Sequence, residues 1–432
     1  MNMSMLHDCS PFIWALLMTH QNNDKNNNRR LAMWQKLKPY QDSIVLLSAL
    51  LLGGMIGIYW PSLALKLKPL GQIFLNLLFM IIVPLVAISV TSSIARMTDL
   101  KKLGAILASI MGVSILMAII PAVGITLLAL MFDPAQGVTL DLNQTVSDTS
   151  GKMDFVALLT TNDFSGLLSK SNILALIIMS VIAGIAIGQS GEDGRKVSAL
   201  LDSFNTVIMK IVAIIMLAAP VGLGAYFAST MASQDPQLVV TFARAVGLFL
   251  VACFIYLTVG STIYAWLGGG MHGIRQFWRH ALEPAVTALG TTSSLATLPV
   301  TLRAALKMGI KPEIADISLP LLVNLNKGGA SIITALKIVF IYSLLGLDFT
   351  VDVFMVTILI SVLSAFIIGG VPGGAFLGEI FIVTTLGLPM ETIPILVVIG
   401  AITDAPSTVI NVVHDLNASQ IVERLNRKRI ES

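Results

Sequence analysis

Apolar runs long enough to cross a bilayer recur along this chain, and that feature narrows its possible folds more than any other. Hydrocarbon offers no water to a peptide group, so runs of this length and spacing predict spanning helices. The first extends from about residue 43 to 59 and ends at Trp60-Pro61, an interfacial aromatic followed by a helix breaker. Others follow at FLNLLFMIIVPLVAISVTSSIA, from about 103 to 132, around 174–187, near 204–230 and near 239–267. Only 12% of the 432 residues are charged, against about 25% in a soluble domain, so most of the surface is expected to face lipid. The fold class predicted is an all-α polytopic membrane protein.

Orientation follows from Lys and Arg. Arg29, Arg30, Lys36 and Lys38 precede the first span, and Arg96, Lys101 and Lys102 follow the second. Arg195 and Lys196 follow the fourth, Arg275 and Arg279 the sixth, and Arg424, Arg427, Lys428 and Arg429 lie near the end. All fall on one side if both termini are cytoplasmic. The loop after the third span carries Asp133, Asp141 and Asp148 against Lys152, as an outside loop should. Spread over short loops, the formal charge of +3 speaks for topology and not for nucleic-acid binding. The apolar patch near the N-terminus is too short to span, and it has neither a basic n-region nor a cleavage site. A cytoplasmic extension over residues 1–40, or translation from Met33, is expected instead of a cleaved signal. Cys9 and Cys253 lie far apart, with no spacing that suggests a metal site; Cys253 reads as a small core residue.

The last third changes character. From 280 to 311, two short helical arms flank Thr291-Thr292-Ser293-Ser294, with Arg279, Arg303 and Lys307 at the ends. That predicts a re-entrant hairpin whose non-helical tip is buried in protein or faces water. A second hairpin is expected over about 351–388, with the tip Gly369-Gly370-Val371-Pro372-Gly373-Gly374. Each is followed by a span with a polar interruption: Asn324-Leu325-Asn326-Lys327-Gly328-Gly329 in the first, Asp404-Ala405-Pro406-Ser407-Thr408 in the second. Hairpin, broken helix, hairpin, broken helix is the order of an inverted repeat with its site at the repeat interface.

Several residues in this region carry chemistry. A carboxylate at the depth of Asp404 costs at least ~2.5 kcal/mol in lipid, so it should face a cavity or a partner. At about 100° per residue, Asp404, Thr408, Asn411 and Asp415 fall on one stripe of the last helix, a candidate solute or ion path. Lys327 is too deep to reach the surface, and its ammonium needs an anion: Asp404, Asp415 and Glu379 are the candidates. Pro406 frees the carbonyl of Ile402 for a cation or an amine, or only kinks the helix. Ser293 and Ser294, at a helix start, suit a carboxylate.

On these motifs the chain resembles the dicarboxylate/amino acid:cation symporter family, the glutamate transporter homologues. The resemblance begins near Met33 and runs nearly to the end. It rests on FMIIVPLVAISVTSSIARMTDLKKLG, Ala219-Pro220-Val221-Gly222, TTSSLATLPVTLRAA, GGVPGGA and the spacing of Asp404, Thr408, Asn411 and Asp415. It implies eight transmembrane helices plus two re-entrant hairpins, in a homotrimer working by an elevator mechanism. In that division 41–99 hold scaffold spans 1 and 2, and 133–235 hold scaffold spans 4 and 5 with the extracellular loop. The transport core takes span 3 (100–132), span 6 (236–275) and the hairpins with spans 7 and 8 (276–425), and 426–432 form a cytoplasmic tail. The resemblance also implies roles. Asp404 would meet the solute's amino group, Ser407, Thr408 and Asn411 would line the site, and Ser293 and Ser294 would meet its carboxylate. Gly370, Val371, Pro372 and Gly373 would form the gate, with sodium at Leu322, Asn326, Asn411 and Asp415. No cofactor is implied.

Two departures shape the expected function. The family's arginine for a side-chain carboxylate is matched by Thr292, Ala405 and Ser407, which favours a neutral amino acid. The seventh-span motif aligns to Asn326-Lys327-Gly328-Gly329-Ala330 and lacks the aspartate and threonine that would ligate sodium. Lys327, Glu379 and Asp415 then become coupling or charge-compensating residues, and sodium coupling is expected to be reduced or replaced by protons. The leading expectation is therefore cation-coupled uptake of an amino acid across the bacterial inner membrane. The alternatives are a sodium- or proton-coupled symporter of a dicarboxylate or acidic amino acid, with Lys327 supplying the missing charge, and a solute-gated channel or sensor. An intramembrane Ser–Lys enzyme is a further rival.

Overall fold

The computed structural model describes residues 41–98, 104–138, 156, 159–169, 172–233, 237–368, 374–389 and 392–430. The N-terminal extension, most of the loop after the third span and the second hairpin tip (369–373) lie outside them. The chain divides into two units, Met1–Val45 and Leu46–Ser432. Of the first, residues 41–45 are described, and they are helical. The second holds the rest of the fold.

No strand occurs among the described residues. Helices α1 (Gln41–Tyr59), α2 (Pro61–Thr98) and α3 (Gly104–Met131) are followed by α4 (Ile173–Gln189), α5 (Gly191–Met216) and α6 (Ala219–Ser233). Then come α7 (Gln237–Ile255), α8 (Ser261–His280), α9 (Leu282–Thr291) and α10 (Ser294–Lys307). Helices α11 (Pro312–Leu325), α12 (Gly328–Leu344), α13 (Val351–Ile368), α14 (Gly374–Thr385) and α15 (Ile393–Ile430) complete the fold. Among the described residues, 6 helical segments are long and apolar enough to cross a membrane: Pro61–Ala95, Ile106–Met131, Gly191–Met216, Val240–His280, Pro312–Leu344 and Ile395–Arg427.

Burial separates outer helices from inner ones. In the apolar window of Gly191–Met216 11% of residues are buried, so that helix turns most of its side chains outward; in Pro312–Leu344 94% are, which makes it the centre. Helix α2 packs on α4, α5 and α6, and α12 packs on α3, α13 and α15. Polar links hold the outer group: Ser89 Oγ donates to Asn205 Oδ1 at 2.6 Å, and Ser92 Oγ to Asp202 Oδ1 at 2.5 Å. Cys253 is buried, as a small core residue should be.

Both pairs of arms form where the sequence predicts them. Helices α9 and α10 pack side by side, as do α13 and α14. The fifth run is two helices, because Pro220 cannot bond back across the junction at Leu217-Ala218. The sixth is interrupted by a π-turn at Tyr256–Gly260 and bent at Gly270, whose φ of 62° suits a residue without Cβ.

The last span departs from expectation. The seventh is broken at Asn326-Lys327, but α15 runs without interruption through Asp404 to Thr408, so the fourth interruption is a polar face and not a break. Pro406 removes one backbone donor, and one missing bond does not open a helix held by neighbours on several sides. Replacing Pro406 with Ala restores that donor. Pro406→Ala is expected to raise stability by roughly 1–3 kcal/mol, read as a higher melting temperature in detergent.

Candidate functional site

The first hairpin tip is built from its own hydroxyls. Thr292 ends α9 in the left-handed region, with φ 47°, a conformation that is costly for a β-branched side chain and that clusters at functional sites. Ser293 caps α10, its Oγ accepting from Ala296 N at 3.2 Å, while Thr297 Oγ1 donates to Ser293 O at 2.8 Å. Ser294 opens α10, and its Oγ accepts from Lys327 Nζ at 2.9 Å. Both serine hydroxyls thus act as acceptors within the protein, which leaves their O–H groups to donate.

Lys327 sits in the gap between α11 and α12, 6% exposed. Its ammonium joins the seventh-span break to the serine tip, and no ion pair to it occurs among the described residues. The carboxylates of Asp415 and Asp404 act on it through space. Of the three partners considered, Glu379 is a correction: its carboxylate pairs directly with Lys337, both side chains almost wholly buried. Sequence reasoning missed Lys337, although a lysine inside the apolar run of α12 carried the same signal as Lys327.

The predicted stripe on α15 points at the break. Asn411 Oδ1 accepts from Gly329 N at 2.9 Å and caps the start of α12. Asp415 Oδ1 accepts from Asn326 Nδ2 at 3.1 Å. Ser407 and Thr408 are buried, and Asp404 is open to solvent although protein surrounds it. The approach is close enough to require glycine: a Cβ at Gly329 would lie 2.2 Å from the carbonyl oxygen of Ser407. The structure therefore brings Ser293, Ser294, Lys327, Asp404, Ser407, Thr408 and Asn411 to one region. Gly370, Val371, Pro372 and Gly373 lie outside the described residues.

Two buried acceptors there are left over. Asn326 Oδ1 and Asp415 Oδ2 are buried acceptors with no hydrogen-bond donor among the described residues, on two side chains already bonded to each other. The carbonyl of Leu322 already accepts from Asn326 N at 2.8 Å and keeps a second lone pair. Across the break, Tyr256 Oη donates to Met117 O at 2.9 Å and lies 3.0 Å from Tyr264 Oη. The ring of His414 stands edge-on to both tyrosines, with Nε2 2.9 Å from Ser261 Oγ. No local pattern singles out this network, because its members are far apart along the chain.

Spanning helices around a buried, charged and partly open polar centre define a polytopic membrane transporter. Comparison with known proteins narrows this. The profile of the Sodium:dicarboxylate symporter family matches residues 43–425, and the chain belongs to that family. The C4-dicarboxylate transport protein 1 of Mesorhizobium japonicum is 28% identical to it, over 84% of this chain and 76% of its own length. The C4-dicarboxylate transport proteins of Rhizobium etli and Anaeromyxobacter sp. are 27% and 26% identical, over 84% and 88% of this chain and 83% and 88% of their own lengths. The chain is a multi-pass transporter of the bacterial inner membrane and not an enzyme. The Lys327–Ser294 bond has the reach of a Ser–Lys pair, but the family is one of symporters.

The paired charges carry a test. Removing one member of a buried ion pair leaves the other uncompensated, whereas replacing both with apolar groups is close to neutral. Lys337→Met is expected to cost about 3–5 kcal/mol. The double variant Lys337→Met/Glu379→Leu should recover most of that loss in a thermal melt.

Proposed function

We propose that this chain is a cation-coupled symporter of a C4-dicarboxylate, with Lys327 supplying positive charge to the solute site. One observation carries the reading: the Lys327 ammonium is held at the serine tip, where α10 and α12 both begin. Two helix N-termini, two free hydroxyl donors and a buried ammonium together favour an anion. The neutral amino acid was favoured because no arginine faces the site. Lys327 removes that objection, and the relatives are C4-dicarboxylate transport proteins. The comparisons thus favour the alternative over the leading expectation, and they give no support to reduced sodium coupling.

Coupling follows from charge. Two ammoniums, Lys327 and Lys337, face three carboxylates, Asp404, Asp415 and Glu379. A dianion adds two more negative charges, so crossing the membrane calls for more than one accompanying cation. Asn326 and Asp415 are the proposed cation position, together with Leu322 and Asn411. Opposite Lys327, Asp404 would meet a solute carboxylate through a shared proton or a cation. The proposal keeps the architecture that the resemblance implies: eight spans and two hairpins, a mobile core on a trimeric scaffold, and both termini cytoplasmic.

Thermal melting of the purified protein with succinate, aspartate and serine, each with and without sodium, tests the reading. At about 100 Kd of ligand, stabilisation of roughly 2.7 kcal/mol is expected for succinate. Serine that stabilises where succinate does not would overturn the proposal. Lys327→Met should weaken succinate binding by about 30- to 1,000-fold. Uptake into proteoliposomes against a concentration gradient separates a symporter from a channel or a sensor.

A further inference from the structure

The Lys337–Glu379 pair has no part in holding the solute as described above, and it is an unusual thing to bury in a membrane protein. An apolar pair of the same volume would hold the helices as well or better. The site is nevertheless built. Lys337 Nζ donates to Glu379 Oε1, and Gly400 leaves room for both, since a Cβ there would lie 2.6 Å from Oε1 and 2.8 Å from Nζ. Glu379 is 1% exposed, and its other oxygen, Oε2, has no hydrogen-bond partner among the described residues. A carboxylate with one oxygen on an ammonium and the other bare and buried has a place for one more hydrogen.

We propose that the Lys337–Glu379 pair is a proton-binding site of the transport cycle, separate from the solute site and from the cation position at Asn326 and Asp415. The inference rests on the symport reading and adds to it the identity of one coupled cation. In the step, a proton from water bonds to a lone pair of Glu379 Oε2. The carboxylate becomes a neutral acid, and Lys337 keeps all its protons. The ion pair becomes a hydrogen bond from Nζ to the acid's carbonyl oxygen. The cluster gains one positive charge, and no electrons are exchanged.

The place of the pair gives that charge a use. Asp404 stands one turn beyond Gly400 on α15 and acts through space on both Lys337 and Glu379. Once Glu379 is neutral, the Lys337 charge is free to offset Asp404, and a solute carboxylate beside Asp404 meets less repulsion. Glu379 also lies about 7.5 Å along α14 from its first residue, Gly374. Of the helices packed on α14, α12 presents Lys337 and α15 presents Asp404. Helix α4 has no charged residue, and α13 has Asp352 in its first turn. Asp415 lies further along α15, bonded to Asn326.

Full-length wild type, Glu379→Gln and Lys337→Gln/Glu379→Gln decide the matter in two measurements. The first uses no solute: melting temperature in detergent between about pH 5 and 8. A proton held on Glu379 in the folded chain and released on unfolding makes the wild-type melting temperature fall as pH rises. Both variants should lose that part of the slope. Superimposable slopes would mean that the pair only holds α14 in place, and would overturn the proposal. The second measurement follows lumenal acidification per succinate in proteoliposomes carrying a pH dye. Glu379→Gln should carry about one proton fewer per succinate than wild type. An unchanged ratio would also overturn the proposal. A wild type that imports no dicarboxylate defeats the symport reading instead, and the melting slopes then decide on the pair alone.

Discussion

The break at Asn326-Lys327 is the constraint on which the rest of this structure depends. An interrupted helix in a membrane exposes peptide groups that lipid cannot satisfy, so other parts of the chain must come to it. Asn411 reaches across from α15 to the amide of Gly329, Asp415 holds the side chain of Asn326, and Ser294 receives the ammonium of Lys327. Those three contacts draw the first hairpin, the seventh span and the last span to one point. The proposed solute region is the space they leave.

Close packing and charge reinforce each other there. Gly329 lets α12 lie against the backbone of Ser407, and Gly400 opens the space that Lys337 and Glu379 fill. Small residues at these crossings admit ion pairs and hydroxyls where side chains of ordinary size would exclude them. The charges in turn repel lipid, which keeps these helices at the centre and leaves the apolar outer helices to face the bilayer. A carrier for an anion would gain from this arrangement, because compensating positive charge is already buried beside the proposed site.

Much of this was legible beforehand. The helical arms around Thr291–Ser294, the break before Gly328 and the stripe of Asp404, Thr408, Asn411 and Asp415 all follow from polar residues placed where lipid would reject them. Three readings change, for physical reasons. Asp404 to Thr408 looked like a second break because it is polar and contains a proline, yet a single missing donor leaves α15 intact. A missing arginine favours a neutral solute when residue types are matched position by position; the relatives favour the dicarboxylate alternative, and the structure bonds Lys327 to the serine tip, which such matching does not reveal. Glu379, one of three candidate partners for Lys327, is taken instead by Lys337.

The amino-acid sequence alone determined that this chain crosses a membrane in helices, that its last third is interrupted by polar segments, and which residues carry the unusual charges. Periodicity and hydropathy are local properties, and a bilayer punishes any arrangement that ignores them. Only the tertiary structure decided which polar side chain meets which: Lys327 with Ser294, Lys337 with Glu379, His414 with Ser261. Those pairs join residues up to 153 positions apart. Their choice is set by side-chain reach and by the space left at the glycine crossings, and no local pattern records either.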